Sequence, residues 1–250
     1  MKHILTIITM LFALVGPHPA LAGPLLISGS STVQKLVVEP AHRALEKKTG
    51  VMIDSSGPGT MNGVKALMKG EVSAALASCP LDLIFPETGL PTVGTYQEHV
   101  IHQDTVVAIV HPGNKVKALT LAQLAGIHSG KITNWKDVGG PDDRIVVVVP
   151  PPSAGTRAFI RDAVLQGAAF ADKAYVTVTD REAVDIVAKS PIAIAMLSEG
   201  FVRTGSGKVK TVKTPPLKRQ LSIITKDAPS PELKAVIEFL RSKEAKKLFR

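Results

Sequence analysis

The chain has 250 residues, a formal net charge of +9 and a pI near 9.7, long enough to bury a full core as one large domain or two modest lobes. Only 4% of its residues are aromatic and its Lys and Arg are scattered, which excludes the interleaved basic and aromatic surface that stacks nucleobases. The one cysteine, Cys79, cannot form an internal disulfide, so stability must come from packing.

Lys2 and His3 precede an apolar run from Ile4 to Val15, and Ala20-Leu21-Ala22 follow as a small-x-small pattern before Gly23. This is the pattern of a secretory signal peptide over 1–22, cleaved before Gly23. The apolar run is about a dozen residues, short of the roughly 20 that span a bilayer, so a retained anchor is the lesser alternative. A periplasmic or otherwise extracytoplasmic protein is expected.

From Leu25 the chain repeats one rhythm: a short apolar strand, a turn rich in Ser, Thr or Gly, then a helix. Leu25 to Ser28 reads as a strand and Val33 to Lys48 as a helix kinked at Pro40. Val51 to Ser55 and Ala74 to Ala77 read as strands around a helix from Met61 to Lys69. The rhythm resumes with strands at Val106 to Val110, Ile145 to Val149, Val176 to Val178 and Ile192 to Met196. Helices begin at Leu121, Arg157 and Arg181. After Pro215-Pro216 come a strand at Leu221 to Thr225 and a helix capped by Ser230 with Pro231 in its first turn. Strands alternating with helices predict an α/β fold of two lobes, each a mostly parallel sheet flanked by helices. The lobe boundaries fall near Val106 and Leu217. One lobe comprises 23–106 and 217–250 and the other 107–216, joined by two hinge crossings.

Three strand-to-helix turns share a composition: Gly29-Ser30-Ser31-Thr32, Ser56-Gly57-Pro58-Gly59-Thr60 and Ser153-Ala154-Gly155-Thr156. Each offers hydroxyl donors and otherwise unpaired backbone N–H groups at the start of a helix, where the dipole adds partial positive charge, so together they suit an anion. Any one of them alone would be an ordinary helix cap. Arg157 could add a charge or lie solvated in the first turn. Cys79 reads as a small buried residue, with a cleft thiol as the other reading. His99, His102, His111 and His128 have no metal-site spacing and read as surface or hydrogen-bonded residues, and Trp135 reads as a core or lobe-surface anchor. Asp104 could join a Ser-His-Asp set only by chance, since no Gly-x-Ser-x-Gly elbow is present. Gly205-Ser206-Gly207-Lys208 lacks the leading Gly of a phosphate loop. No catalytic residue, metal or cofactor is predicted.

Gly29-Ser30-Ser31-Thr32-Val33, Ser56-Gly57-Pro58-Gly59, Leu76-Ala77-Ser78-Cys79-Pro80-Leu81 and the run from Gly130 to Gly140 resemble the PstS-like phosphate-binding family. The resemblance covers essentially the whole chain after the leader. It implies a type II periplasmic binding protein that closes over a small inorganic anion by hinge motion. It also implies delivery of the solute to an ABC permease; a monomer is expected, with presentation of the closed form to a membrane receptor as the alternative. The phosphate contacts it implies fall on Ser30, Ser31, Thr32, Ser56, Gly57, Gly155 and Thr156, and Ser78, Cys79, Ser153 and Arg157 are candidate ligand-binding positions beside them. The sequence departs from the pattern at three of its positions: Ala154 stands where Ser is common, Pro150 near the family's anion-pairing Arg, and Cys79 near its proton-accepting Asp. Those departures leave ligand identity open between phosphate, another oxyanion, arsenite and an organic solute.

Overall fold

Residues 23–90, 94–204 and 208–249 are described by the computed structural model; the expected signal peptide at 1–22 and the 205–207 portion of the glycine-rich stretch lie outside them. The first half runs β1 (Leu25–Gly29), α1 (Ser31–Val33), a π-helical turn (Gln34–Val38), α2 (Glu39–Thr49), β2 (Ile53–Ser56), α3 (Thr60–Lys69), β3 (Ala74–Ala77) and α4 (Leu81–Thr88). Strand β4 (Tyr96–Val110) leads into the second half. There follow α5 (Leu121–His128), β5 (Val146–Val149), α6 (Gly155–Ala163), β6 (Tyr175–Val176), α7 (Asp180–Lys189), β7 (Ala193–Ser198) and α8 (Glu199–Thr204). Strand β8 (Lys210–Lys226) returns to the first half, where α9 (Pro231–Arg241) and α10 (Lys243–Lys246) close the chain. Among the described residues no helix is long and apolar enough to cross a membrane.

The sheets expected for two lobes are one continuous eight-stranded sheet, ordered β2-β1-β3-β8-β4-β7-β5-β6. Its outer parts are parallel, β1 with β2 and β3, and β5 with β6 and β7. The long strands β4 and β8 are antiparallel and join the parts. The expected strands at Val106 to Val110 and Leu221 to Thr225 are thus the ends of much longer ones. Val106 pairs with Leu217, and directly beyond them the register shifts, so that Ala108 faces Val212. The bulge absorbs Pro215 and Pro216, which cannot donate to a ladder.

Side chains alternate across this sheet and both faces are covered. Val106, Ala108, Val110, Val147, Val149, Ile194 and Met196 enter one core that also holds Val64, Ala75 and Ala77 of the first half. Val107, Ile109, Val148, Ala195 and Leu197 point the other way against Val184 and Val187 of α7. On that side of the first half, Ile27, Leu76, Leu221 and Ile223 pack with Val37, Leu45, Val236 and Leu240. Two buried faces explain why these strands read as unbroken apolar runs. The kink expected at Pro40 is met by the π turn just before it. Pro40 sits in the first turn of α2, where its missing N–H interrupts no established α-ladder. Trp135 is fully buried and its Nε1 donates to the Ile192 carbonyl at 3.1 Å.

His128, at the end of α5, is completely buried, and neither ring nitrogen has a hydrogen-bond partner among the described residues. Burial lowers its pKa to about 4 from an ordinary 6.5. The unfolded chain therefore binds the extra proton first as pH falls, and His128 costs stability progressively below pH 6.5, levelling off below about 4, by on the order of 3 kcal/mol. Replacing it, His128→Leu, should flatten the acid limb of stability measured by urea unfolding between pH 7 and 4; parallel curves for the two proteins would show that the ring has another way to take its proton.

Candidate functional site

The carboxyl ends of β1, β2 and β5 bring the three hydroxyl-rich turns to one place. Ser30 caps the helix that follows β1: its Oγ accepts from the Val33 N–H at 3.4 Å, while its own N–H donates to the Leu76 carbonyl at 2.8 Å. Ser30 and Thr32 are thereby buried. Ser31 is left facing the opening, where its hydroxyl donates to Asp180 Oδ2 at 3.2 Å. Ser56 Oγ donates to Ser28 Oγ at 2.8 Å. Gly57 lies so close to Ser31 and Gln34 that a Cβ there would stand 2.3 Å from Gln34 Oε1.

Across the opening, the turn before α6 touches the turn before α3. Met61 N–H donates to the Ser153 carbonyl at 3.0 Å, and Ser153 Oγ donates to the Pro58 carbonyl at 3.2 Å. Gly59 makes this approach with φ +108°, a conformation that L side chains rarely adopt, and a Cβ on it would fall 2.6 Å from Ser153 Oγ. Ala154 occupies the cap position of α6 and supplies no side-chain acceptor to the first N–H groups of that helix. Gly155 follows at closest approach: a Cβ would lie 2.6 Å from Ser78 Oγ, 2.7 Å from Thr60 Oγ1 and 3.2 Å from Cys79 Sγ.

Beneath these turns sits a buried ion pair from the crossing strands. Asp104 of β4 and Arg219 of β8 are register partners. Arg219 Nε donates to Asp104 Oδ2 at 2.8 Å, and Nη2 lies 2.7 Å from the same oxygen without an aligned hydrogen bond. Nη1 donates to Thr156 Oγ1 at 2.7 Å and to the Ser78 carbonyl at 3.3 Å, joining the two halves. Ser198 Oγ donates to Asp104 Oδ1 at 2.7 Å. Since the Thr156 oxygen accepts from Arg219, its hydroxyl hydrogen is left to donate elsewhere.

The opening itself is a cleft of about 760 Å³, lined by Ser31, Gly57, Ser153 and Asp180, by the charged Lys35, Glu39 and Arg181, and by apolar residues. Burial raises the Asp180 pKa above its ordinary value, against the Arg219 charge and the Ser31 hydrogen bond, which favour the carboxylate.

Of the residues marked by sequence, Ser31, Gly57 and Ser153 line the cleft. Ser30, Thr32, Ser78, Cys79, Gly155 and Thr156 are buried around it, and Ser56 is exposed at the end of β2. Arg157 is turned away: its Nη1 donates to the Pro150 carbonyl at 2.9 Å and its guanidinium stacks 4.6 Å over the Phe170 ring. Burial pushes the Cys79 thiol up to about 12, so it stays protonated and inert. Arg219 and Asp180 escaped the sequence reading, and Asp104 was seen only as a chance member of a triad. A signal for Arg219 existed: it shares parity with Leu217 and Leu221, and all three are buried while Lys218 and Gln220 are exposed. Asp180 carries none beyond a Thr179-Asp180 helix start.

A family model described as the PBP superfamily domain matches residues 15–244. The phosphate-binding protein PstS of Bacillus subtilis strain 168 is 31% identical over 182 residues, 72% of this chain and 59% of that protein. PstS of Staphylococcus epidermidis strain RP62A is also 31% identical, over 74% of this chain and 57% of its own length. The chain thus spans less than two thirds of these curated relatives. Among solved structures, a phosphate ABC transporter substrate-binding protein with bound phosphate from Clostridium perfringens is 27% identical with a TM-score of 0.79, covering 90% of this chain and 96% of its own. An ABC-type phosphate transport receptor from Vibrio cholerae is 28% identical with a TM-score of 0.70 and the same coverages.

Truncating Arg219 would leave the Asp104 carboxylate buried without its cation. Arg219→Met alone should therefore cost about 3–5 kcal/mol in denaturant unfolding, and adding Asp104→Leu should restore most of it. A double variant no better than the single would mean that the pair is held by something other than mutual compensation.

Proposed function

The chain belongs to the PBP superfamily domain family, and from that premise we propose that it is an extracytoplasmic solute-binding protein capturing a small oxyanion, phosphate or a related anion, for an ABC importer. The observation that carries this reading is the meeting of the turns before α1, α3 and α6 over the buried Arg219 guanidinium. Ser31 Oγ, the Thr156 hydroxyl and the uncapped first N–H groups of α6 supply neutral donors from both sides. Arg219 polarises the set from below through Thr156, in place of the arginine that Pro150 displaces.

In this reading the protein is exported by cleavage of the leader at 1–22 and acts as a monomer. Its hinge lies where Val106 pairs with Leu217, dividing 23–106 and 217–250 from 107–216. It binds and releases without turnover, and a permease in the membrane receives the solute. Asp180 sets a condition on the anion, because its carboxylate already accepts from Ser31. An entering oxyanion must displace it or bring a proton to share with it.

Thermal unfolding of ligand-stripped protein tests the reading. At about 1,000 times its dissociation constant, a bound oxyanion should stabilise by roughly 4 kcal/mol and raise Tm by on the order of 8–16 °C. Silence with phosphate, arsenate, sulfate and molybdate alike would sink it. Ser31→Ala should weaken phosphate binding about tenfold or more, by titration calorimetry, through loss of a hydrogen bond to a charged group. Asp180→Asn should strengthen binding of fully ionised sulfate more than that of phosphate; an unchanged ratio would remove Asp180 from the site.

A further inference from the structure

The cleft holds far more space than a tetrahedral inorganic anion fills. Its volume of about 760 Å³ falls within the roughly 300–1,000 Å³ of pockets that bury organic ligands. The space is not simply what an open hinge leaves behind. Ser153 already bonds to Met61 and Pro58, and Ser31 to Asp180, so the two halves touch at the anion turns while the chamber beside them stays open. Leu36, Pro58, Pro151, Val178, Val184 and Phe201 line that chamber. Val178, at 81% exposure, and neighbouring Val176, at 48%, are large apolar side chains left uncovered next to α7. Of the other charged side chains lining the cleft, Lys35 Nζ is 2.6 Å from Glu39 Oε1, and Arg181 of α7 is itself already partnered. A second charged group on the ligand would find no unmatched partner in that pair.

We infer that the cleft takes an oxyanion bearing an uncharged apolar substituent, a phosphonate or phosphate monoester. Its head sits among Ser31, Ser153 and the start of α6, and its organic part lies between Leu36 and Pro58 on one side and Val178 and Phe201 on the other. This rests on the oxyanion reading above and narrows its substrate class.

Titration calorimetry with phosphate, methylphosphonate, propylphosphonate and phenylphosphonate tests it. Affinity should rise along the series by roughly three- to fourfold per methylene buried, with phenylphosphonate at least tenfold tighter than methylphosphonate. Val178→Ser, a change at an exposed position that folding tolerates, should lower the ratio of phenylphosphonate to phosphate affinity severalfold. Phe201→Ser should do the same. If phosphate binds and the substituents weaken binding or leave it unchanged, the organic subsite is refuted and the oxyanion reading stands. If neither phosphate nor any phosphonate binds, both fall. Binding of benzoate without any phosphonate would overturn the assignment of the head group.

Discussion

A guanidinium with almost no exposed surface must be matched where it sits, and the Arg219–Asp104 pair is the constraint around which the rest of this molecule is arranged. Desolvating two charges costs several kcal/mol each, and attraction repays it only when the remaining donors and acceptors are also met. Here Ser198, Thr156 and the Ser78 carbonyl meet all of them but Nη2, which lies against Asp104 without an aligned hydrogen bond. Each comes from a different segment, and the pair itself comes from the two strands that cross between the halves. Satisfying this one pair therefore fixes the end of β7, the start of α6 and the turn after β3 relative to β4 and β8.

That arrangement makes small residues obligatory at the point of closest approach. Arg219 can reach Thr156 and the Ser78 carbonyl together only if α6 begins against the first half, and Gly155 allows it by presenting no Cβ to Ser78 and Thr60. Ala154 then has a positive consequence. With no capping side chain ahead of it, the helix keeps N–H groups available to a ligand instead of spending them on its own cap.

Much of the fold was legible because burial on both faces writes strands as short apolar runs, as at Ile145 to Val149 and Ile192 to Met196. Caps were equally plain: Ser230 Oγ accepts from the Leu233 N–H at 3.2 Å ahead of Pro231. The crossing strands were not, because their middle parts carry Gln97, Glu98, His99, Gln103, Lys218 and Gln220, and polar alternation looks like loop unless the partner strand is known. The same blindness hid the site's charges. Composition shows that Arg219 and Asp104 exist, but only pairing of strands more than a hundred residues apart makes them neighbours. The three turns could be found since each is local; Asp180 could not, since its meaning comes from Ser31 across the cleft.

The net charge of +9 helps to draw anions toward the surface, yet it does not make the cleft a cation-lined trap. Lys35 is neutralised by Glu39, Arg181 on the cleft wall is already partnered, Arg157 is committed to Pro150 and Phe170, and Arg219 lies beneath, bonded to Thr156. The one carboxylate facing Ser31 opposes a dianion directly. Long-range field and local chemistry thus act at different stages. Scattered lysines favour encounter and are screened by salt within about 10 Å, whereas on the proposed reading retention would depend on oriented neutral donors, a shared proton at Asp180 and apolar contact along Val178 and Phe201. A site built this way would discriminate among anions by protonation and shape more than by charge.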